Sequence, residues 1–166
     1  MEKTELDGIY EKVYFKILNF VSYRQRSEKE ISDRFSKYLL KYRLLPEEQE
    51  KIKSRIYSNL EQDGYLDDVS FASTYIKAIV DSKKPISKIK IYQFLLKKGI
   101  SKDTIEELLH LLPEDFVEQS VLKDAQKKLK TLRADNTFAK KGKLSNYLFR
   151  KGYPSDIIHS VVDSLL

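Results

Sequence analysis

Ile91-Tyr92-Gln93-Phe94-Leu95-Leu96-Lys97-Lys98-Gly99 and Leu144-Ser145-Asn146-Tyr147-Leu148-Phe149-Arg150-Lys151-Gly152 are one pattern written twice, 53 residues apart. Ile91 answers to Leu144, Phe94 to Tyr147, Leu95 to Leu148, Lys98 to Lys151 and Gly99 to Gly152. The match runs on through Asp103 with Asp156, Ile105 with Ile158, and Leu108-Leu109 with Val161-Val162. Working backwards, a shift of 60 residues sets Ser87 on Ser27, Ile91 on Ile31 and Leu95 on Phe35. That first copy then departs, with Tyr38-Leu39-Leu40-Lys41-Tyr42-Arg43-Leu44-Leu45 where the others have a short basic stretch and glycine. Repetition at this period is the mark of small units that cannot bury their apolar faces alone and share a core with their neighbours.

The apolar spacing makes those units helical. Tyr14, Ile17, Leu18 and Val21 fall at i, i+3, i+4 and i+7, as one helix face requires. Ala72, Tyr75, Ile76 and Ile79 repeat the spacing, and Ile157, Val161, Val162 and Leu165 form a similar stripe. Ser27-Glu28-Lys29-Glu30 has the form of a capping box, and Asp63-Gly64 marks a turn before Asp67-Asp68 caps the next helix. Gly99 and Gly152 fall where a helix end needs a left-handed residue; Ser101 then caps the next helix, and Pro154-Ser155-Asp156 repeats that arrangement with Ser155 as the cap. Pro46 and Pro113 are read as first-turn prolines followed by acids. The expected fold is all-α, with an N-terminal extension at 1–11 and three tandem helical repeats at 12–66, 67–113 and 114–166, each an entry helix followed by a helix pair.

Composition removes several functions. With no cysteine among 166 residues, disulfides, thiolate zinc sites and cysteine nucleophiles are excluded. His110 and His159 stand apart without partners at ligand spacing, so no metal is expected. Asp63, Asp67 and Asp68 are explained by turn formation and capping rather than magnesium. There is no nucleophile–base pairing, phosphate-cradling loop or dinucleotide turn, so neither catalysis nor a cofactor is expected. No apolar run approaches the ~20 residues of a membrane helix, and the opening residues lack the apolar stretch of a signal peptide; the reading is a cytoplasmic monomer with no membrane contact.

The net charge of +6 is modest, so its placement matters more than its size. Between Asp81 and Asp103 lie Lys83, Lys84, Lys88, Lys90, Lys97, Lys98 and Lys102 with no acid among them. A second basic interval runs through Lys127, Lys128, Lys130, Arg133, Lys140, Lys141, Lys143, Arg150 and Lys151, with Asp135 its only acid. Gathered on one surface, such cations bind phosphates through counterion release and position a protein without reading sequence; scattered, they only keep a helical face solvated. Arg24 and Arg26 have two readings as well, contact with an acidic partner or phosphate, or pairing with nearby glutamates. Phe94 and Tyr147 recur at a core position, and Tyr65, Phe71 and Tyr75 are read as packing, which leaves Tyr92 as the candidate for stacking on a base. Acids gather elsewhere, at Glu47, Glu48, Glu50, Glu61, Glu106, Glu107, Glu114, Asp115 and Glu118, which suggests a molecule with two electrostatic sides.

Three stretches together resemble the RecX family. They are Arg24-Gln25-Arg26-Ser27-Glu28-Lys29-Glu30-Ile31, Gly64-Tyr65-Leu66-Asp67-Asp68-Val69-Ser70-Phe71-Ala72-Ser73-Thr74-Tyr75, and the lysine–glycine ending found in Lys97-Lys98-Gly99 and Arg150-Lys151-Gly152. The chain departs from the family pattern at Lys84-Pro85-Ile86-Ser87, where glycine is frequent, and in its longer first repeat around Tyr38–Leu45. The resemblance implies an elongated stack of three-helix repeats that binds the RecA–DNA filament in its groove, contacts single- or double-stranded DNA, and restrains RecA in recombination, DNA repair and the SOS response. The alternative reading is a stand-alone helical-repeat protein that binds nucleic acid without RecA.

Overall fold

A computed structural model describes residues 5–166, and among them the secondary structure is helical throughout, with no strand. The helices are α1 (Glu5–Ser22), α2 (Glu28–Leu39), α3 (Pro46–Gln62), α4 (Asp68–Ser82), α5 (Lys88–Lys97), α6 (Lys102–His110), α7 (Phe116–Leu129), α8 (Thr137–Arg150) and α9 (Ser155–Leu165), with one 3-10 turn at Leu40–Tyr42. Residues 5–11, read above as part of an extension, belong to α1, where Ile9 and Tyr10 are buried.

Local chemistry sets most of the helix ends. The Ser27 hydroxyl accepts from the Glu30 N–H while the Glu30 carboxylate accepts from the Ser27 N–H, the full reciprocal box. Asp67 accepts from the Ser70 N–H at 2.8 Å, Ser101 from Thr104 at 3.1 Å and Asn136 from Ala139 at 2.8 Å. Pro46 opens α3, as its missing donor allows. Two expected starts differ. Pro113-Glu114-Asp115 form a turn ahead of α7 because the Pro113 carbonyl accepts from Phe116 N–H, so the helix opens on Phe116. Ser155 is the first residue of α9 rather than its cap, since Pro154 stands at the cap position.

Gly99 and Gly152 are left-handed, at φ +89° and +86°, as helix ends of this kind require. The irregular first copy reaches the same corner with Arg43, at φ +50°. There the 3-10 turn Leu40–Tyr42 extends α2, placing the corner four positions later than the 60-residue register would. After each corner comes an apolar residue turned inward: half-buried Leu44, then Ile100 and Tyr153, which are 2% and 3% exposed.

The chain divides into two compact units. One runs through Phe71 and includes Lys98–Ile100; the other comprises Ala72–Lys97 and Ser101–Leu166. In the first, Ile9, Val13, Ile17 and Val21 of α1, Ile31, Phe35 and Leu39 of α2, and Ile52, Ile56 and Leu60 of α3 make one core. Apart from Tyr10, which joins this core beside Ile9, each member lies four residues from the next in its helix, so each helix offers a single stripe. In the second unit, Val121 and Ala125 of α7 meet Leu144 and Leu148 of α8 and Ile158, Val161 and Val162 of α9. Each such aliphatic side chain taken out of water contributes about 1.5–3 kcal/mol.

Candidate nucleic-acid interface

In α5 the inward positions are Ile91 and Leu95, which leaves Lys88 and Lys90 on the exposed side. Lys83 and Lys84, just ahead of the helix, and Lys97 at its end are exposed too. Lys83 is itself left-handed, φ +53°, and its carbonyl accepts from Lys123 Nζ at 3.3 Å. That brings Lys83, Lys84 and Lys123 to one open cleft of ≈ 320 Å³ floored by Val80, Pro113 and Phe116. Asp115 lines the same cleft, so the separation of charges expected from the sequence is incomplete here. Lys123 was absent from the sequence-derived basic interval. It stands one turn ahead of Lys127 on α7, so helical spacing carried the signal.

Other basic residues serve the fold. Arg24 Nη2 and Lys98 Nζ lie 2.9 and 2.8 Å from Glu30 Oε1, and Arg26 stands 3.9 Å from the same oxygen. Burial would raise the Glu30 pKa, but hydrogen bonds from Lys98, Arg24 and the Ser27 backbone hold it down to about 2. Arg26 also donates to the Phe20 carbonyl at 3.1 Å and lies 4.0 Å above the Phe20 ring. Burial, then the Arg24 charge, draws the Arg26 pKa below its usual value. Arg24 and Arg26 both face Glu30, and Arg24 stays 46% exposed beside it. Arg34, over the same ring at 4.6 Å, and Lys37 complete a basic groove that the sequence reading missed because Asp33 and Glu30 interrupt the run.

The lysine–glycine ending has a comparable internal role in its second occurrence. Lys151 Nζ is 2.7 Å from Asp124 Oδ1, and the Tyr153 hydroxyl donates to Asp124 Oδ2 at 2.6 Å. Asp124 is 1% exposed, so this is a buried carboxylate with its hydrogen bonds made. Burial pulls Lys151 down, but Asp124 and then Tyr147 outweigh it and leave its pKa raised. Burial and the same carboxylate push the Tyr153 phenol well above its ordinary value. The Ser87 hydroxyl donates to the Lys151 carbonyl at 2.7 Å, which seats the Gly152 corner against the start of α5.

On α8, Lys141 pairs with Asp163 at 2.6 Å and Lys143 donates to the Arg133 carbonyl at 3.1 Å. Lys140 is half-buried and Arg150 is exposed. Phe94 stacks on Tyr75 at 4.1 Å between ring centres, and Tyr147 is half-buried beneath Lys128 and Lys151. Tyr92 is half-buried as well, whereas Phe138 and Phe149, on neither list of candidates, are 88% and 64% exposed. Asp67 and Asp68 accept backbone N–H groups from Ser70 and Glu28. Among the described residues no cluster of His, Cys, Asp and Glu could hold a metal, and no helix is long and apolar enough to cross a membrane.

Residues 117–162, spanning most of α7 to α9, match the family model described as RecX, third three-helix domain. Over 154 residues the chain is 30% identical to the regulatory protein RecX of Oceanobacillus iheyensis, covering 93% of this chain and 53% of that one. It is 40% identical over 105 residues to the regulatory protein RecX of Clostridium botulinum strain Eklund 17B, with 62% and 48% covered. The chain thus spans about half the length of these curated relatives. Its fold matches the crystal structure of RecX from Lactobacillus salivarius with a TM-score of 0.74 at 24% identity, over 95% of this chain and 97% of that one. The family model lies on the third helix triplet, the relatives extend the match across nearly the whole chain, and the fold agrees: this chain belongs to the RecX family.

Proposed function

We propose that this protein regulates RecA by occupying the groove of the RecA–DNA filament, without covalent chemistry and without a cofactor. The observation that carries the reading is the acid-free run from Ser82 to Lys102, whose Lys83, Lys84, Lys88 and Lys90 are exposed around α5 in a chain of the RecX family. Its relatives bear the name regulatory protein, which agrees with a binding role. Cations of this kind hold phosphates at any sequence, as a protein meeting a DNA-threaded filament at arbitrary positions must. Occupying the groove would compete with RecA–RecA or RecA–DNA contacts and shift the filament toward its shortened or inactive state. Lys83, Lys84, Lys88 and Lys90 are the primary contact residues, with Lys143 and Arg150 on α8 as a second set. The repeats 12–66, 67–113 and 114–166 would act together as one cytoplasmic monomer.

The test is single-stranded-DNA-dependent ATP hydrolysis by the cognate RecA, with this protein titrated in at fixed salt. Substoichiometric loss of turnover is expected, and Lys88→Glu with Lys90→Glu should weaken it at least tenfold. No effect in molar excess, with salt-sensitive binding to bare DNA retained, would replace this reading with that of a stand-alone nucleic-acid-binding protein.

A further inference from the structure

The outward face of α8 is unlike that of the other basic helix. Leu144 and Leu148 are buried and define its inner side. On the other side lie Phe138, Gly142, Asn146 and Phe149, all exposed, with exposed Lys143 and Arg150 flanking them. Eleven residues separate the two phenylalanines, so they point within about 20° of each other and stand roughly 16 Å apart along the axis. The two rings, 88% and 64% exposed, offer flat apolar surfaces to a partner from one side of the helix. Between them, Gly142 has nothing within 4 Å of where a Cβ would be, so the backbone there is open to close approach.

Charge decides what fits this face. No residue of α8 is acidic, and Asp135 is the only acid between Asp124 and Asp156. An acceptor-rich, negatively charged partner with flat apolar surfaces is therefore favoured. The repeat register argues against a further repeat unit or a second copy. In the other two copies the helix start that receives a lysine–glycine corner has a buried serine: Ser27, with Gly99 against Lys29, and Ser87, with Gly152 against Ile89. The matching positions in the third copy are Lys140 and Gly142. A lysine replaces the seating serine, and α8 starts earlier than that register predicts, with an added turn that carries Phe138.

We infer that the outer face of α8 binds single-stranded nucleic acid, with bases stacked on Phe138 and Phe149 and the strand's phosphates held by Lys143 and Arg150. This rests on the reading of the chain as one that meets DNA, and adds to it a preference for unpaired strands. Bases sequestered in a duplex cannot reach rings on a helix flank, whereas every unpaired base offers a face to stack on.

Binding to a labelled oligothymidylate, and to a duplex of equal length, is measured by fluorescence anisotropy over a series of salt concentrations. Phe138→Ala and Phe149→Ala should each weaken oligothymidylate binding about tenfold, with little effect on the duplex and no change in the salt slope. Phe138→Trp should retain binding. Lys143→Gln with Arg150→Gln should flatten the slope, which the ring variants do not. Both rings are exposed, so truncation leaves the core intact, and circular dichroism verifies the fold. Unchanged oligothymidylate affinity in both alanine variants overturns the inference. So does sedimentation showing a dimer that either alanine variant abolishes, which would make this face a self-interface. The two readings fail separately: ring-independent binding with RecA turnover still suppressed removes this inference alone, and ring-dependent binding with RecA unaffected removes only the RecA reading.

Discussion

Glu30→Gln is the sharpest test of how the first unit is held together. The glutamine keeps the side-chain shape and one accepting oxygen for the Ser27 cap, so the change is mainly one of charge. It leaves Arg24, Arg26 and Lys98 facing one another around a neutral group. Lowering a carboxyl from 4.5 to about 2 corresponds to about 3 kcal/mol, at roughly 1.4 kcal/mol for each tenfold in proton affinity. Arg24 is 46% exposed and Lys98 24%, and screening by water reduces the expected loss at neutral pH to about half, ~1.5 kcal/mol. The folded state favours the ionised carboxylate, so the contribution is complete above pH 4.5 and is lost as pH falls toward about 2. Urea unfolding followed by far-UV circular dichroism should show the variant ~1.5 kcal/mol less stable at pH 7, with the gap narrowing below pH 4.5. Lys98→Gln should cost a similar amount, and the double variant little more than either single one. A loss below about 0.5 kcal/mol at pH 7, or a gap that does not change with pH, refutes the argument.

Gly152→Ala should lower the melting temperature more than Gly64→Ala. Both glycines are left-handed, but a Cβ at 152 would meet Ile89 Cγ2 at 2.2 Å while one at 64 meets nothing; Ile89→Ala should recover part of the difference. Asp124→Asn should cost about 1.5 kcal/mol in urea unfolding, because it removes the charge that pairs with Lys151, while the 39% exposure of Lys151 lets water take over part of that interaction. The Tyr153 phenol should resist ionisation past pH 10, followed as tyrosinate absorbance. Its folded pKa is raised above the unfolded value, so that contribution is present below pH 10 and is lost as pH climbs beyond it.

Features made within a few residues were legible in the sequence. The apolar stripes of α1 and α9, the Ser27 box and the left-handed Gly99 and Gly152 all depend on neighbours three to five positions away, so spacing alone reveals them. The cations were not separable that way. Lys98 finds Glu30 across 68 residues and Lys151 finds Asp124 across 27. Only the packed fold shows that these two lysines close units, while Lys88 and Lys90 point outward. Pro113 misled because proline suits a turn before a helix as well as a first turn, and the two differ only in where Phe116 sends its N–H. Phe138 and Phe149 were overlooked for a different reason. Neither carries a charge or a motif to single it out, although the helical phase of Leu144 and Leu148 places both rings on a flank away from the core.

The delayed corner at Arg43 also constrains how such a chain can change length. The extension is wound as the 3-10 turn Leu40–Tyr42, whose three residues make about one complete revolution, and Leu44 still meets the interior. Two added residues would instead send the exit to the far side and expose that plug. Insertions in these helices are therefore quantised. Lengthening by about one revolution, roughly 5–6 Å along the axis, keeps the residue after the corner facing inward, whereas an intermediate length would turn it out of the interior.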